Sequence, residues 1–153
     1  MLSGGKWCKV PTMAGVLLSG EFDHALDPKG RVTLPARYRD YFRDGVVLVR
    51  FPDREPCISV FHPDSWEGFD EKYLESQNFF DSSADRWSTR RIYKNQDFVE
   101  PDAQGRILLP AKRINELGLN GKVKIIGVRT HLEIWDPETL TAEEAKTEGG
   151  GHA

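Results

Sequence analysis

The chain has 153 residues, of which 39% are hydrophobic and 29% charged, with a formal net charge of −3; this is the composition of an ordinary globular protein rather than a fibrous or low-complexity one. No apolar run approaches the roughly 20 residues needed to span a bilayer, and Val16-Leu17-Leu18 is too short for the apolar region of a secretory leader. Cys8 and Cys57 lie far apart without ligand spacing, which favours a reducing compartment and argues against a structural zinc site.

Taken alone, a net negative charge counts against nucleic-acid binding. The distribution argues otherwise. Between Lys29 and Arg43 the cations Lys29, Arg31, Arg37, Arg39 and Arg43 face Asp40 alone, whereas Glu133 to Glu148 is mainly acidic. A basic face on an acidic remainder is compatible with phosphate binding.

In chain order, residues 1–14 show no periodicity and are expected to form a disordered extension, with Met13 placed as an alternative start. Gly15 to Leu26 alternates weakly and predicts a strand. Asp27-Pro28-Lys29-Gly30 then has turn chemistry at each position: an aspartate to accept backbone N–H groups, a proline to preset φ, and a glycine to supply positive φ. A tight hairpin is expected there, with Arg31 to Leu34 as the return strand, Val32 and Leu34 on one face and Arg31 and Thr33 on the other.

Pro35 ends that strand and suits the first position of a short helix over Ala36 to Arg43, with Tyr38, Tyr41 and Phe42 as its apolar stripe. Val46 to Phe51 and Cys57 to Phe61 read as strands. Two helices follow. The first is capped by Asp64 or Ser65, with Trp66, Phe69 and Tyr73 on one face. The second is capped by Ser82 or Ser83 and runs from Ala84 toward Tyr93, with Trp87 buried and Arg86, Arg90, Arg91 and Lys94 largely outside.

The plan then repeats: Phe98 to Pro101, a turn at Asp102 to Gly105, a strand over Arg106 to Leu109, a short helix from Pro110 to Leu117, and strands over Val123 to Val128 and Leu132 to Trp135. Asp27-Pro28-Lys29-Gly30-Arg31-Val32-Thr33-Leu34-Pro35-Ala36-Arg37 is answered without slippage by Asp102-Ala103-Gln104-Gly105-Arg106-Ile107-Leu108-Leu109-Pro110-Ala111-Lys112. Such a long in-register match is an internal duplication. Phe61-His62-Pro63 is matched by Trp135-Asp136-Pro137 one residue out of that register, as a single loop deletion produces. The two inter-repeat helices have no expected counterpart after Trp135; a short acidic helix over Pro137 to Lys146 and a flexible end close the chain.

Each repeat alone, at about 45 residues, is near the size where an isolated core becomes marginal, so the two are expected to share one. The predicted organisation is an extension (1–14), a first module (15–66), inter-repeat helices (67–95), a second module (96–140) and a flexible acidic tail (141–153).

A glycine at a hairpin tip lets backbone approach a duplex closely, and an arginine just past it presents a planar fork to a guanine edge or to two phosphate oxygens. Lys29, Arg31, Gln104 and Arg106 are therefore the candidate DNA-contacting residues. Asp27, Gly30, Asp102 and Gly105 support the turns, and Arg37, Arg39 and Lys112 are possible phosphate contacts. The blander alternative for each turn is an arginine paired only with its own aspartate, and for Arg37, Arg39 and Arg43 a solvated helix face. His24, His62, His131 and His152 lie in unlike contexts, and no nucleophile motif or HExxH-type ligand pair is present, so neither catalysis nor a metal or other cofactor is expected.

At its two D-x-x-G-R-[VI]-x-L-P-A-[RK] stretches, and at Gly20-Glu21-Phe22-Asp23-His24, Ile126-Gly127-Val128 and Glu133-Ile134-Trp135, the sequence resembles the MraZ family of bacterial transcription regulators, built from two tandem AbrB-like modules. The resemblance covers about Leu18 to Leu140. It implies an α+β, mainly β fold with short helices: a swapped-hairpin β-barrel formed by both modules of one chain. It further implies ring-shaped homo-oligomers, of about eight or more chains, that bind promoter direct repeats of the division and cell-wall operon as repressors. Double-stranded DNA is then the expected partner and a cytoplasmic, nucleoid-associated location the expected one. Gln104 in place of a lysine, and Pro101 in place of the apolar residue that Leu26 supplies, make the two turns unequal. A ring-forming scaffold or antitoxin-like module whose turns contact protein is the alternative.

Overall fold

The computed structural model describes residues 16–52 and 54–150; the expected extension up to residue 14 and the end of the tail, 151–153, lie outside them. Eight strands and four α-helices occur among the described residues. In chain order they are β1 (Glu21–Ala25), β2 (Arg31–Thr33), β3 (Val46–Val49), β4 (Ile58–Phe61), α1 (Pro63–Ser76), α2 (Ser83–Lys94), β5 (Asp97–Val99), β6 (Arg106–Leu108), α3 (Ala111–Leu117), β7 (Lys122–Gly127), β8 (Leu132–Trp135) and α4 (Pro137–Gly150). A single 3-10 turn, Ala36–Tyr38, stands where the helix to Arg43 is expected.

Six strands form one antiparallel sheet in the order β1-β7-β8-β4-β3-β5, and β2 pairs with β6 in a separate two-stranded ribbon. The expected α+β class is observed, but among the described residues the sheet is open, with β1 and β5 as edges, and no closed barrel forms. The local hairpin is correspondingly short. Leu26 bridges Val32, but β1 then pairs with β7 of the second repeat, and β5 of the second repeat pairs with β3 of the first. Each repeat thus completes the other's sheet.

An approximate two-fold axis relates the halves. Val32 pairs with Ile107 at the centre of the ribbon, and Ser59 with Glu133 where β4 meets β8; in both pairs the duplication maps one partner onto the other. Loop lengths depart from the repeat in two places. Leu48 pairs with Val60 as Ile125 pairs with Ile134, so the second repeat is two residues longer before β7 and three shorter between β7 and β8. Two opposite changes, rather than one deletion, leave Trp135 one residue out of register.

The shared core lies beneath both sheets. Val32, Ile107, Ile125, Leu132 and Ile134 have no exposure. The two-sided burial of β3 and β4 arises because their second face lies under α1 and α2, where Val47, Val49 and Phe61 pack with Trp66, Tyr73 and Ile92. Trp87, expected inside, is 53% exposed and lies under the Arg90 guanidinium at 4.6 Å, while Ile92 takes the buried position. His62, rather than Asp64 or Ser65, caps α1, its Nδ1 accepting from the Asp64 N–H at 3.0 Å.

Helix α4 begins at Pro137 as α1 begins at Pro63 and covers Cys57 and Trp135 through Leu140. It is therefore the counterpart of α1, and α2 is the inter-repeat helix without one. The tail that was expected to be flexible from residue 141 is helical through Gly150.

Candidate nucleic-acid interface

The two glycine turns are built alike. In the first, Asp27 N–H donates to the Arg31 carbonyl and Gly30 N–H to the Asp27 carbonyl, each at 2.9 Å; the second repeats both bonds from Asp102 and Gly105 at the same lengths. This is a three-residue hairpin loop closed by a residue of positive φ. Gly30 at φ 85° and Gly105 at φ 78° supply it, a conformation that costs an L side chain.

Each aspartate bonds to both the backbone and the arginine of its turn. Asp27 Oδ1 accepts from the Lys29 and Arg31 N–H groups, and Asp102 Oδ1 from those of Gln104 and Arg106, all at 2.9 Å. The second carboxylate oxygen accepts from the arginine Nε, at 2.8 Å from Arg31 and 2.7 Å from Arg106. The Arg31 backbone N–H bond, joined by the guanidinium and Lys29, holds the Asp27 carboxyl below its ordinary value, and Arg106 and Gln104 do the same for Asp102.

The aspartate–arginine pair of the blander reading is therefore present, yet it does not consume the guanidinium. Only Nε is engaged in each ion pair, and neither arginine's terminal nitrogens bond to any described residue. The fork is aimed and left open, with about 30% of each arginine side chain exposed.

Strand alternation places both forks on one surface. Arg31 lies opposite Leu108 and Thr33 opposite Arg106, and directly opposed residues of an antiparallel pair share a face. Arg31, Thr33, Arg106 and Leu108 thus form the outward face of the ribbon, whose inward residues Val32 and Ile107 are fully buried. The two arginines sit on its diagonal, with Cα atoms about 7–8 Å apart.

The surroundings of the turns differ. Beside Gly30 stand the side chains of Ile114 and Leu108; beside Gly105 stands that of Arg39, whose Nε donates to the Leu34 carbonyl at 3.1 Å. Arg39 and Ile114 hold equivalent positions in the duplication, so the second turn gains a cation where the first has an apolar wall. That wall borders a groove of about 560 Å³ lined by Pro28, Lys29, Phe98, Leu108, Pro110 and Ile114, among others.

Of the remaining expected residues, Lys29 and Gln104 are exposed at the turn tips, and Arg37 and Lys112 are exposed at matching positions of the two short helical segments. Arg37 also lies over the Phe22 and Tyr38 rings, at 5.7 and 5.8 Å. Pro101 has the consequence expected of it: its counterpart Leu26 donates to the Gly121 carbonyl at 3.0 Å, a bond proline cannot make.

Two residues of note lie outside the expected set. Leu108 is 54% exposed between buried Ile107 and Leu109; in a run of three apolar residues, only alignment with Thr33 marks it as outward. Arg113 is buried, with its guanidinium bonded to Asn95 Oδ1 at 2.7 Å and Glu116 Oε1 at 2.6 Å. It ties α3 to the end of α2, and no sequence pattern distinguishes it from the exposed cations nearby.

Among the described residues no group of three or more His, Cys, Asp or Glu side chains is placed to hold a metal ion, and no helix is long and apolar enough to cross a membrane. Burial raises the Cys57 thiol far above its ordinary value, leaving it protonated and weakly nucleophilic.

The family model described as "MraZ protein, putative antitoxin-like" matches residues 17–89 and again 92–148, one match for each half. The chain is 40% identical over 124 residues to the "Transcriptional regulator MraZ" of Thermomicrobium roseum, covering 81% of this chain and 84% of that one. It is 34% identical over 117 residues to the protein of that name from Mycoplasmoides gallisepticum, covering 76% and 80% respectively. With its counterpart from Pelodictyon phaeoclathratiforme it shares 33% identity over 141 residues, 85% of this chain and 89% of the relative. Both halves and nearly all of the shared core fall within these matches, and the chain belongs to the MraZ family.

Proposed function

We propose that the chain is a sequence-specific DNA-binding transcription regulator, acting as a repressor at promoter direct repeats of a division and cell-wall operon. The observation that carries this reading is the pair of two-fold-related arginines on one exposed ribbon face, each oriented through Nε with its terminal nitrogens open. That arrangement suits bidentate recognition of guanine or phosphate. The names of the relatives support transcriptional control.

In this reading Lys29, Gln104, Arg31 and Arg106 contact DNA, Arg39 adds a phosphate contact at the second turn, and Arg37 and Lys112 flank the surface. Modules near 15–66 and 96–140 supply one turn each. One chain offers few cations, so affinity comes from a homo-oligomeric ring of about eight or more chains engaging repeated sites, each tethered contact acting at high effective concentration. Head-to-tail assembly matches direct repeats, as a two-fold dimer matches a palindrome. The working location is the cytoplasm, at the nucleoid.

Fluorescence anisotropy with a duplex from upstream of the chain's own reading frame tests the reading. Binding that weakens steeply with salt supports it, as does loss of binding in Arg31→Ala and Arg106→Ala with an unchanged size-exclusion profile. The rival reading, a protein-binding scaffold, draws on the exposed Phe80 and Trp87 of the helical segment. DNA indifference in the assembled wild type would favour it.

A further inference from the structure

We infer that Leu108 is a base-reading residue, packing on the 5-methyl group of a thymine in the major groove next to the base that Arg31 contacts. The inference rests on the DNA-binding reading above and deepens it by assigning the chemistry of a second contacted base.

Leu108 stands in the apolar wall beside Gly30 with Ile114, yet it is far more exposed than its chain neighbours. Ile107 and Leu109, its chain neighbours, are 0% and 2% exposed, whereas Leu108 is 54% exposed. Pleating explains the alternation: the even position points away from the core. It leaves a large apolar side chain on the surface that carries both open guanidinium groups.

The hydrogen-bond pattern brings Leu108 close to Arg31. Leu109 N–H donates to the Gly30 carbonyl, and Leu34 N–H to the Gly105 carbonyl, each at 2.9 Å. Arg31 and Leu108 lie between such bonded pairs, so theirs is the narrow kind of antiparallel pair, with Cα atoms about 4.5 Å apart and side chains closest. That separation is near the rise of about 3.4 Å between stacked base pairs, so arginine and leucine tips meet the same or adjacent base pairs.

Groove dimensions and chemistry then select the target. A major groove admits a two-stranded ribbon, and the thymine methyl is the apolar feature its edges display. At the two-fold-related place beside Arg106 stands Thr33, whose single methyl offers a shorter contact of the same kind. The two arginine–apolar pairs are thus graded, with the larger apolar group beside Arg31.

The test compares a promoter duplex with the same duplex in which thymidines are replaced by deoxyuridine, which removes only the methyl groups, at matched salt. Wild type is expected to bind the thymine duplex about two- to four-fold more tightly for each methyl engaged, and single replacements locate the site. Leu108→Ala and Leu108→Gln, the second keeping side-chain length, are expected to lose the preference at the thymine that single replacement assigns to Leu108, whereas a preference at the place facing Thr33 is expected to remain. Both variants are checked by circular dichroism and size exclusion.

Equal binding of the two duplexes by wild type overturns the Leu108 assignment while leaving the arginine contacts standing. A preference at that same thymine that survives in either variant overturns it as well, including where the variant alters the assembly. If wild type binds neither duplex, the DNA-binding reading itself falls.

Discussion

Val32 and Ile107 face one another across the centre of the ribbon, each in its own repeat holding the place the other holds. Both are fully buried, so the outward arginines rest on a core contact that neither repeat makes alone. Ile107→Ala is expected to lower stability by about 2–5 kcal/mol, and Ile107→Val by about 0.5–1.5 kcal/mol. Urea unfolding followed by tryptophan fluorescence measures both, and a single cooperative transition is expected because the halves share their sheet.

Arg31→Ala and Arg106→Ala are each expected to weaken DNA binding by about 1–3 kcal/mol if the fork reads a base edge. Arg31→Lys is expected to recover little, because an ammonium cannot both hold Asp27 and present two parallel donors. Removing Lys29 should instead lower the slope of log affinity against log salt by about one. Anisotropy titrations over a salt series separate these outcomes.

The turns should survive acid better than free aspartate does. Both Asp27 and Asp102 have their carboxyl groups held below the ordinary aspartate value. A lowered value in the folded state gives a stabilisation fully present above the unfolded carboxylate range and lost as pH falls through the lowered value. Carboxyl carbon shifts followed by NMR are expected to show both residues titrating below ordinary aspartate, and Arg31 and Arg106 Nε–H signals broadening in the same window. Titration at the ordinary value would remove the aspartate clamp from the mechanism.

Gly105→Ala tests the inequality of the turns. The residue sits at φ 78°, and an added Cβ would lie 2.6 Å from Arg39 Cδ, so the substitution must both strain backbone and displace Arg39. At Gly30 the nearest atom is Ile114 Cδ1 at 3.2 Å. Each variant is expected to lose about 1–3 kcal/mol of stability from the backbone conformation. Only Gly105→Ala is expected to reduce the salt dependence of DNA binding as well, through the loss of Arg39; equal salt slopes in the two variants would deny Arg39 that role.

Much of the site was legible because its parts are local. Asp27, Gly30 and Arg31 lie within one turn, where residue type constrains dihedral angle and hydrogen bonding over a few bonds, and the second copy confirmed the pattern. Arg39 was harder to place. On the sequence it belongs to a helix face with Arg37 and Arg43, and it reaches the second turn only because the ribbon sets Leu34 beside Gly105. Trp87 misled because aromatic size suggests burial, while the sheet face under α2 was already filled by Trp66, Tyr73 and Ile92.

By itself the sequence determined the duplication, the two turns, most strand and helix positions and the outward direction of Arg31, since each depends on short-range sterics and on alternation along one strand. Tertiary structure alone decided which strands pair. A strand's exposed hydrogen-bonding edge accepts any partner with matching alternation, and burial of Val32 against Ile107 is available only when the two repeats exchange strands. That exchange turns two separate loops into one face bearing Arg31, Leu108, Thr33 and Arg106.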